Sequence, residues 1–308
     1  MRAAFVQVLT ELAERDPRVV LLTGDLGFNF LEPFGDRFPG RFYNVGVAEQ
    51  NMVGVATGVA EAGMIPFVYS IATFVSMRPY EFIRNGPVLH QLPVRIVGVG
   101  GGFEYGNNGA THYGLEDVGI LRMQRGMTVV VPADDEHARD AFRRTYDLPR
   151  PIYYRLSKGG APIAGLVADF ELGRLCRLRS GGDVALIALG SSAVDALAAA
   201  EQLGTAGVET AVAVVESFNP SPRRDLAEFL ADMPLVITVE SHLVDGGLGS
   251  LVAEVIAERG LATRLHRCGV EELPRGTTGS QAFLQERFGL SAGAIARTAA
   301  ALVAAGRR

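Results

Sequence analysis

Cysteine is scarce: Cys176 and Cys268 are the only two in 308 residues, too few and too scattered for a disulfide framework or a zinc site. A reducing cytoplasm is the compartment this usage suggests. Excess basic charge is absent as well. The 29 lysines and arginines stand against 34 acids, a net charge of −5, so no positive field would gather nucleic-acid phosphates. Long apolar runs are also missing: stretches such as VALIALG fall far short of the roughly 20 residues that span a bilayer. At the start, MRAAFVQVLTELAERDPRVV carries Glu11, Glu14, Arg15 and Asp16 where an export signal needs unbroken apolar residues, and its spacing is that of an amphipathic helix. These absences lead to the expectation of a cytoplasmic globular protein with no nucleic-acid and no membrane partner.

What is present is 48% hydrophobic and 20% charged, with 37 glycines, a balance that suits a glycine-punctuated α/β protein with room for two domains. VVLLTGD reads as a buried strand, and a helix is expected over Ala48 to Ala62, stopped by Gly63 and followed by a strand over Ile65 to Ser70. Helix and strand then alternate through YEFIRNGPVLHQ, VRIVGVGG, LEDVGILRM, MTVVVPA, DDEHARDAFRRTYD and PIYYRLS. Such alternation predicts a mostly parallel sheet covered on both faces. The pattern weakens over Lys158 to Gly182, read as linker with a peripheral hairpin. It resumes with VALIALGS, VDALAAAEQLGTAG, TAVAVVES, RRDLAEFLAD, LVITVES, GSLVAEVIAERG and TRLHRCGV. The expected architecture is therefore α/β, two doubly wound, mostly parallel-sheet domains over 1–157 and 183–308, joined by a linker over 158–182.

Within NVGVAEQNMVGVATGVA, Glu49 is a single acid at the start of an otherwise apolar, small-residue helix, where the helix N-terminus favours its ionised form. By itself that is also the pattern of a first-turn charge complementing the helix dipole. Phe74 after its strand is equally compatible with core packing. His112 sits in GFEYGNNGATHYGLED, a glycine- and asparagine-rich loop where an imidazole can face a cleft or cap the following helix.

The ordered segments GDLG, NVGVAEQNM, ATF, GATH, PAD and RLSKG resemble the pyrimidine-binding domain of transketolases, and the likeness extends over essentially the whole chain. The resemblance implies a thiamine-diphosphate enzyme that moves a two-carbon ketol unit from a ketose to an aldehyde-type acceptor. It assigns Glu49 to N1′ of the aminopyrimidine, Phe74 to stacking on that ring, Met77 and Tyr80 to its surroundings, and Asp25 to the thiazolium end. His112 would meet a substrate oxygen and handle its charge. Asn108 stands where many transketolases carry the aspartate that meets the ketose hydroxyl, and an amide can donate as well as accept there. Lys158 replaces a phosphate-binding arginine, and Arg2 matches a second one. VGVGGGF has glycines where the family places a phosphate-contacting histidine, so a sugar phosphate is not assumed as substrate. Gly246, Gly247 and Gly249 open a helix whose amides suit an anion or simply tight packing.

The G-D-G and later asparagine that hold the Mg2+-bound diphosphate are not found in this sequence. Mg2+ and its ligands are therefore expected to come from a separate diphosphate-binding chain, in a heterotetramer of two chains of each kind. The beta subunit of a 2-oxoacid dehydrogenase shares this domain order, and deoxyxylulose-phosphate synthase is a further relative that is normally one long chain. A scaffold subunit that has lost activity is the non-enzyme alternative, which Glu49, Phe74 and His112 together oppose.

Overall fold

The computed structural model describes residues 1–306. The first series of elements is α1 (Arg2–Arg15), β1 (Val19–Thr23), α2 (Glu32–Arg37), β2 (Phe42–Asn44), α3 (Glu49–Glu61), β3 (Ile65–Ile71), α4 (Ala72–Met77), α5 (Tyr80–Ile83), β4 (Arg95–Val99), α6 (Asp117–Arg122), β5 (Thr128–Val130), α7 (Asp135–Thr145) and β6 (Ile152–Leu156). Strands β1, β3, β4, β5 and β6 are buried along their whole length. Helices cover both faces of such a sheet, which is why these segments read as continuous β-branched and leucine runs instead of alternating.

The second series is β7 (Leu175–Arg179), β8 (Val184–Leu189), α8 (Ala193–Thr205), β9 (Thr210–Val215), β10 (Ser217–Phe218), α9 (Arg223–Leu230), β11 (Leu235–Leu243), α10 (Leu248–Arg259), β12 (Arg264–Val270), α11 (Gln281–Arg287) and α12 (Ala292–Gly306). The two sheets run β10-β5-β6-β4-β3-β1-β2 and β12-β11-β8-β9-β7. Every pairing is parallel except at β10 and β7.

Three local expectations are revised. No hairpin forms in the 158–182 stretch: β7 instead pairs antiparallel with β9 and edges the second sheet, Leu175 opposite Val215. The expected helix YEFIRNGPVLHQ opens after Ile83 into a π-type turn over Arg84–Val88, because Pro87 within it has no N–H to donate. The third concerns the glycines before α10. Leu248 N–H and Gly249 N–H donate to Glu240 at 2.6 and 2.7 Å, so the chain's own carboxylate takes the anion position. An added Cβ on Gly247 would stand 2.1 Å from that carboxylate, which is why the turn is so bare. Burial pushes the Glu240 pKa up to about 7, against the pull of the two amides.

The halves are tied by buried polar contacts as well as by β10, which lays a strand of the second series beside β5. Arg155 donates to the carbonyls of Gly114 and Ser241, both at 2.8 Å, and lies 3.2 Å from Asp117. His137 of α7 pairs with Glu216, just past β9, at 2.7 Å. By length and composition one stretch, Gln281–Gly306, could cross a membrane, with a mean hydropathy of 1.5 in its most apolar window. It is divided into α11 and α12, and α12 buries Ile295, Ala299 and Val303 in the cluster that also holds Ala196, Ala200 and Leu203 of α8.

Candidate active site

The carboxyl ends of β1, β2, β3, β4 and β6 point the same way, and the loops leaving them carry Asp25, Glu49, Phe74, His112 and Lys158. This is the edge of a parallel sheet at which ligands bind. After β2, Gly46 turns the chain with a positive φ of 75° and delivers Glu49 as the first residue of α3. Glu49 is 1% exposed, and its carboxylate accepts from Ser70 Oγ at 3.0 Å and from Arg78 Nη1 at 2.8 Å. Gly24, at the end of β1, passes close by: a Cβ there would lie 3.5 Å from Glu49 Oε1. A buried carboxylate is tolerated here because the helix N-terminus and two donors face it.

Phe74 lies on α4, which leaves β3 directly. The close approach of α4 to β4 depends on Gly98, where a Cβ would meet Ala72 Cα at 2.9 Å and Tyr153 Oη at 2.6 Å. The guanidinium of Arg78 stacks over the Phe74 ring, 3.9 Å from its centroid. His112 meets the same ring edge-on with centroids 5.0 Å apart. A cavity of about 460 Å³ opens here, and its walls include Phe74, Met77, Arg78, Thr111, Glu116 and Arg275. Met77 is 46% exposed and its sulfur accepts from Thr73 Oγ1 at 3.4 Å.

His112 closes a short 3-10 turn, Ala110–His112, and its Nδ1 lies 3.0 Å from Thr111 Oγ1. That hydroxyl is its polar neighbour, and α6 begins only at Asp117, so no helix-capping bond is made. Burial lowers the His112 pKa, and the charges of Arg78 and Lys158 lower it further. The imidazole is therefore uncharged near neutrality and free to accept a proton.

Arg2 and Lys158 meet at a second cavity, of about 430 Å³, whose wall also holds Phe30, Asp135 and Glu136. The Arg2 guanidinium rests 4.3 Å from the Phe30 ring centroid, and its buried Nε has no hydrogen-bond partner. Asp135 is engaged by the Met1 amine at 2.6 Å. Lys158 Nζ donates to the Glu104 carbonyl at 2.8 Å and sits 3.3 Å from the Tyr105 ring centroid. Burial lowers its pKa, opposed by the charge of Glu104. Tyr105 links the two cavities, its ring being 6.3 Å from that of His112.

The remaining predicted residues stand apart. The Tyr80 hydroxyl donates to the Ile120 carbonyl at 3.2 Å, and its ring packs on the apolar core away from the cleft. Asp25, at φ 60°, is exposed and bonded to Asn44 Nδ2 at 2.8 Å, one residue from the glycine beside Glu49. Asn108 is exposed in the loop before His112. Among the described residues, one group of three side chains is close enough to share a metal ion, His137, Cys176 and Glu216, and its imidazole and thiol do not suit a hard cation such as Mg2+.

Sequence reasoning missed Arg78, Ser70 and Tyr105. For Arg78 the signal was available: a cation four residues after Phe74 falls on the same helical face.

Residues 1–162 match the family described as the transketolase pyrimidine-binding domain, and residues 173–295 the transketolase C-terminal domain. A 6-deoxy-6-sulfo-D-fructose transketolase subunit of Clostridium sp. is 37% identical over 301 residues, 97% of this chain and 93% of that one. One of the two subunits of an apulose-4-phosphate transketolase from Phocaeicola vulgatus is 32% identical, covering 97% and 96%. Among solved structures, a split gene transketolase described as an inactive beta4 tetramer superimposes with a TM-score of 0.88 at 34% identity, over 98% of each chain.

Proposed function

This chain belongs to the transketolase family and is one subunit of a split, transketolase-type transferase, and from that premise we propose that it holds the aminopyrimidine end of thiamine diphosphate between Glu49 and Phe74. The diphosphate end, Mg2+ and its ligands come from a separate chain, in an assembly of two chains of each kind working in the cytoplasm. The observation that carries this reading is the pairing of a buried carboxylate with an aromatic face at one spot, where a planar donor already rests: Arg78 bonds Glu49 and stacks on Phe74. A flat aminopyrimidine with a ring nitrogen facing the carboxylate fits the same two surfaces.

When bound, thiamine diphosphate supplies the carbon nucleophile and electron sink of ketol transfer. Glu49 holds the proton at the pyrimidine nitrogen and, buried with Ser70 behind it, keeps its orientation fixed. Phe74 sets the ring plane, and Met77 lines the cavity beside it. Uncharged His112, positioned by Thr111 and Phe74, takes up or returns a proton at a substrate oxygen. The Clostridium and Phocaeicola relatives act on sugars with an anionic group, a sulfonate in one and a phosphate in the other. Lys158 and Arg2, with its free Nε, supply positive charge for such a group in the adjoining cavity. Asn108 lies on the loop leading to His112, within the stretch that contacts the ketose in this proposal.

The test is Glu49→Gln in the chain assembled with its partner. Ketol transfer falls at least about a hundredfold, as expected for loss of a proton-handling group, while co-purification of the two subunits is unchanged. Near-normal turnover would remove Glu49 from the mechanism.

A further inference from the structure

Arg78 occupies the place proposed above for the cofactor's ring, and on that reading we infer that its guanidinium is a built-in stand-in that must leave before an aminopyrimidine can bind. The two groups share the chemistry the site selects: each is planar, presents N–H donors in its plane and stacks on an aromatic face. Arg78 uses both surfaces at once, bonding Glu49 Oε2 at 2.8 Å while lying 3.9 Å from the Phe74 ring centroid. A pyrimidine cannot share that space.

The reason for such a contact lies in the burial of Glu49. Without Arg78 its carboxylate, 1% exposed, would keep only the Ser70 hydroxyl as a side-chain donor, and an uncompensated buried charge is strongly destabilising. Arg78 follows α4 directly and holds its side chain 39% exposed, so it can neutralise Glu49 in the unliganded chain and still swing toward solvent. The cavity wall carries a second carboxylate, Glu116, to receive it. Apparent affinity is reduced by the fraction of molecules in which a site is open, so an arrangement closed nine-tenths of the time weakens binding about tenfold.

Calorimetric titration of the full-length chain with thiamine, which carries the aminopyrimidine without the diphosphate, tests this. Arg78→Met is expected to bind thiamine about tenfold more tightly than the unsubstituted chain, with Arg78→Lys in between. Methylguanidinium, refilling the vacated position, should compete with thiamine in Arg78→Met and have little effect on the unsubstituted chain. Equal or weaker binding by Arg78→Met, or no binding by either protein, would overturn the stand-in role. Circular dichroism melts confirm that each variant is folded, and Arg78→Lys keeps the question answerable should Arg78→Met unfold. Phe74→Ala separates this inference from the reading beneath it: thiamine binding that survives that change removes the aminopyrimidine site itself, whatever Arg78 does.

Discussion

Replacing His137 with glutamine should flatten the pH dependence of this protein's stability in a defined alkaline window. His137 is 1% exposed on α7, and its Nδ1 lies 2.7 and 2.8 Å from the two oxygens of Glu216, across the seam between the sheets. Its Nε2 faces the Val167 carbonyl, and Glu216 also accepts from Ala133 N–H at 2.8 Å. Burial alone lowers the imidazole pKa, but the hydrogen bond and charge of Glu216, the Val167 carbonyl and the charge of Asp134 outweigh it and raise the value from 6.5 to about 9. A rise of that size, at about 1.4 kcal/mol per pH unit, corresponds to roughly 3 kcal/mol. The folded chain holds the proton more tightly than the unfolded one. The stabilisation is therefore complete below the unfolded pKa of 6.5 and is lost as pH rises through about 9. Cys176, whose thiol donates to Glu216 at 3.4 Å, does not titrate in this window because burial, aided by Glu216, pushes its pKa up to about 12. Urea unfolding at several pH values between about 6 and 10 should show the stability gap between the unsubstituted chain and His137→Gln shrinking by up to about 3 kcal/mol across that range. A gap that stays constant would show that the pair is not an ionised clasp, and the reasoning would fail.

Two further expectations follow from the site and from the α10 cap. In the assembled enzyme His112→Ala should lower kcat/KM by about a hundredfold while thiamine diphosphate affinity is retained, and unchanged kinetics would exclude proton handling by this residue. Gly247→Ala places a Cβ 2.1 Å from the Glu240 carboxylate and 2.7 Å from His242 Nδ1, which drives the carboxylate off the α10 amides. A loss of about 2–4 kcal/mol is expected in denaturant unfolding, and an unaltered midpoint would contradict the cap.

The parts of the structure set by local pattern were legible in the sequence. The helix expected over Ala48 to Ala62 is observed as Glu49–Glu61, and the strand after Gly63 runs Ile65–Ile71, because a small-residue apolar run and a glycine stop are local signals. The parts set by distant partners were not. β7 is only partly buried, like any edge strand, but its partner β9 lies beyond β8 and α8 in sequence, so LCRLR looked like half of a hairpin. The glycines before α10 signalled a close approach without revealing that the approaching anion is Glu240 from the preceding strand. Pro87 was visible, and its missing N–H was reason enough to expect the helix to open there. Glu49 stood out as the one acid at the start of an apolar helix, whereas Arg78 takes its meaning from a carboxylate 29 residues earlier and from a ring it covers only when folded.

The central claim is that this chain carries half of a thiamine-diphosphate site. Its most direct test is ketol transfer by the purified chain, with thiamine diphosphate and Mg2+, as its diphosphate-binding partner is titrated in. No turnover by the chain alone, with activity rising to a plateau at equal numbers of the two subunits, is the expected result. Tight cofactor binding and full turnover by the chain without any partner would contradict it.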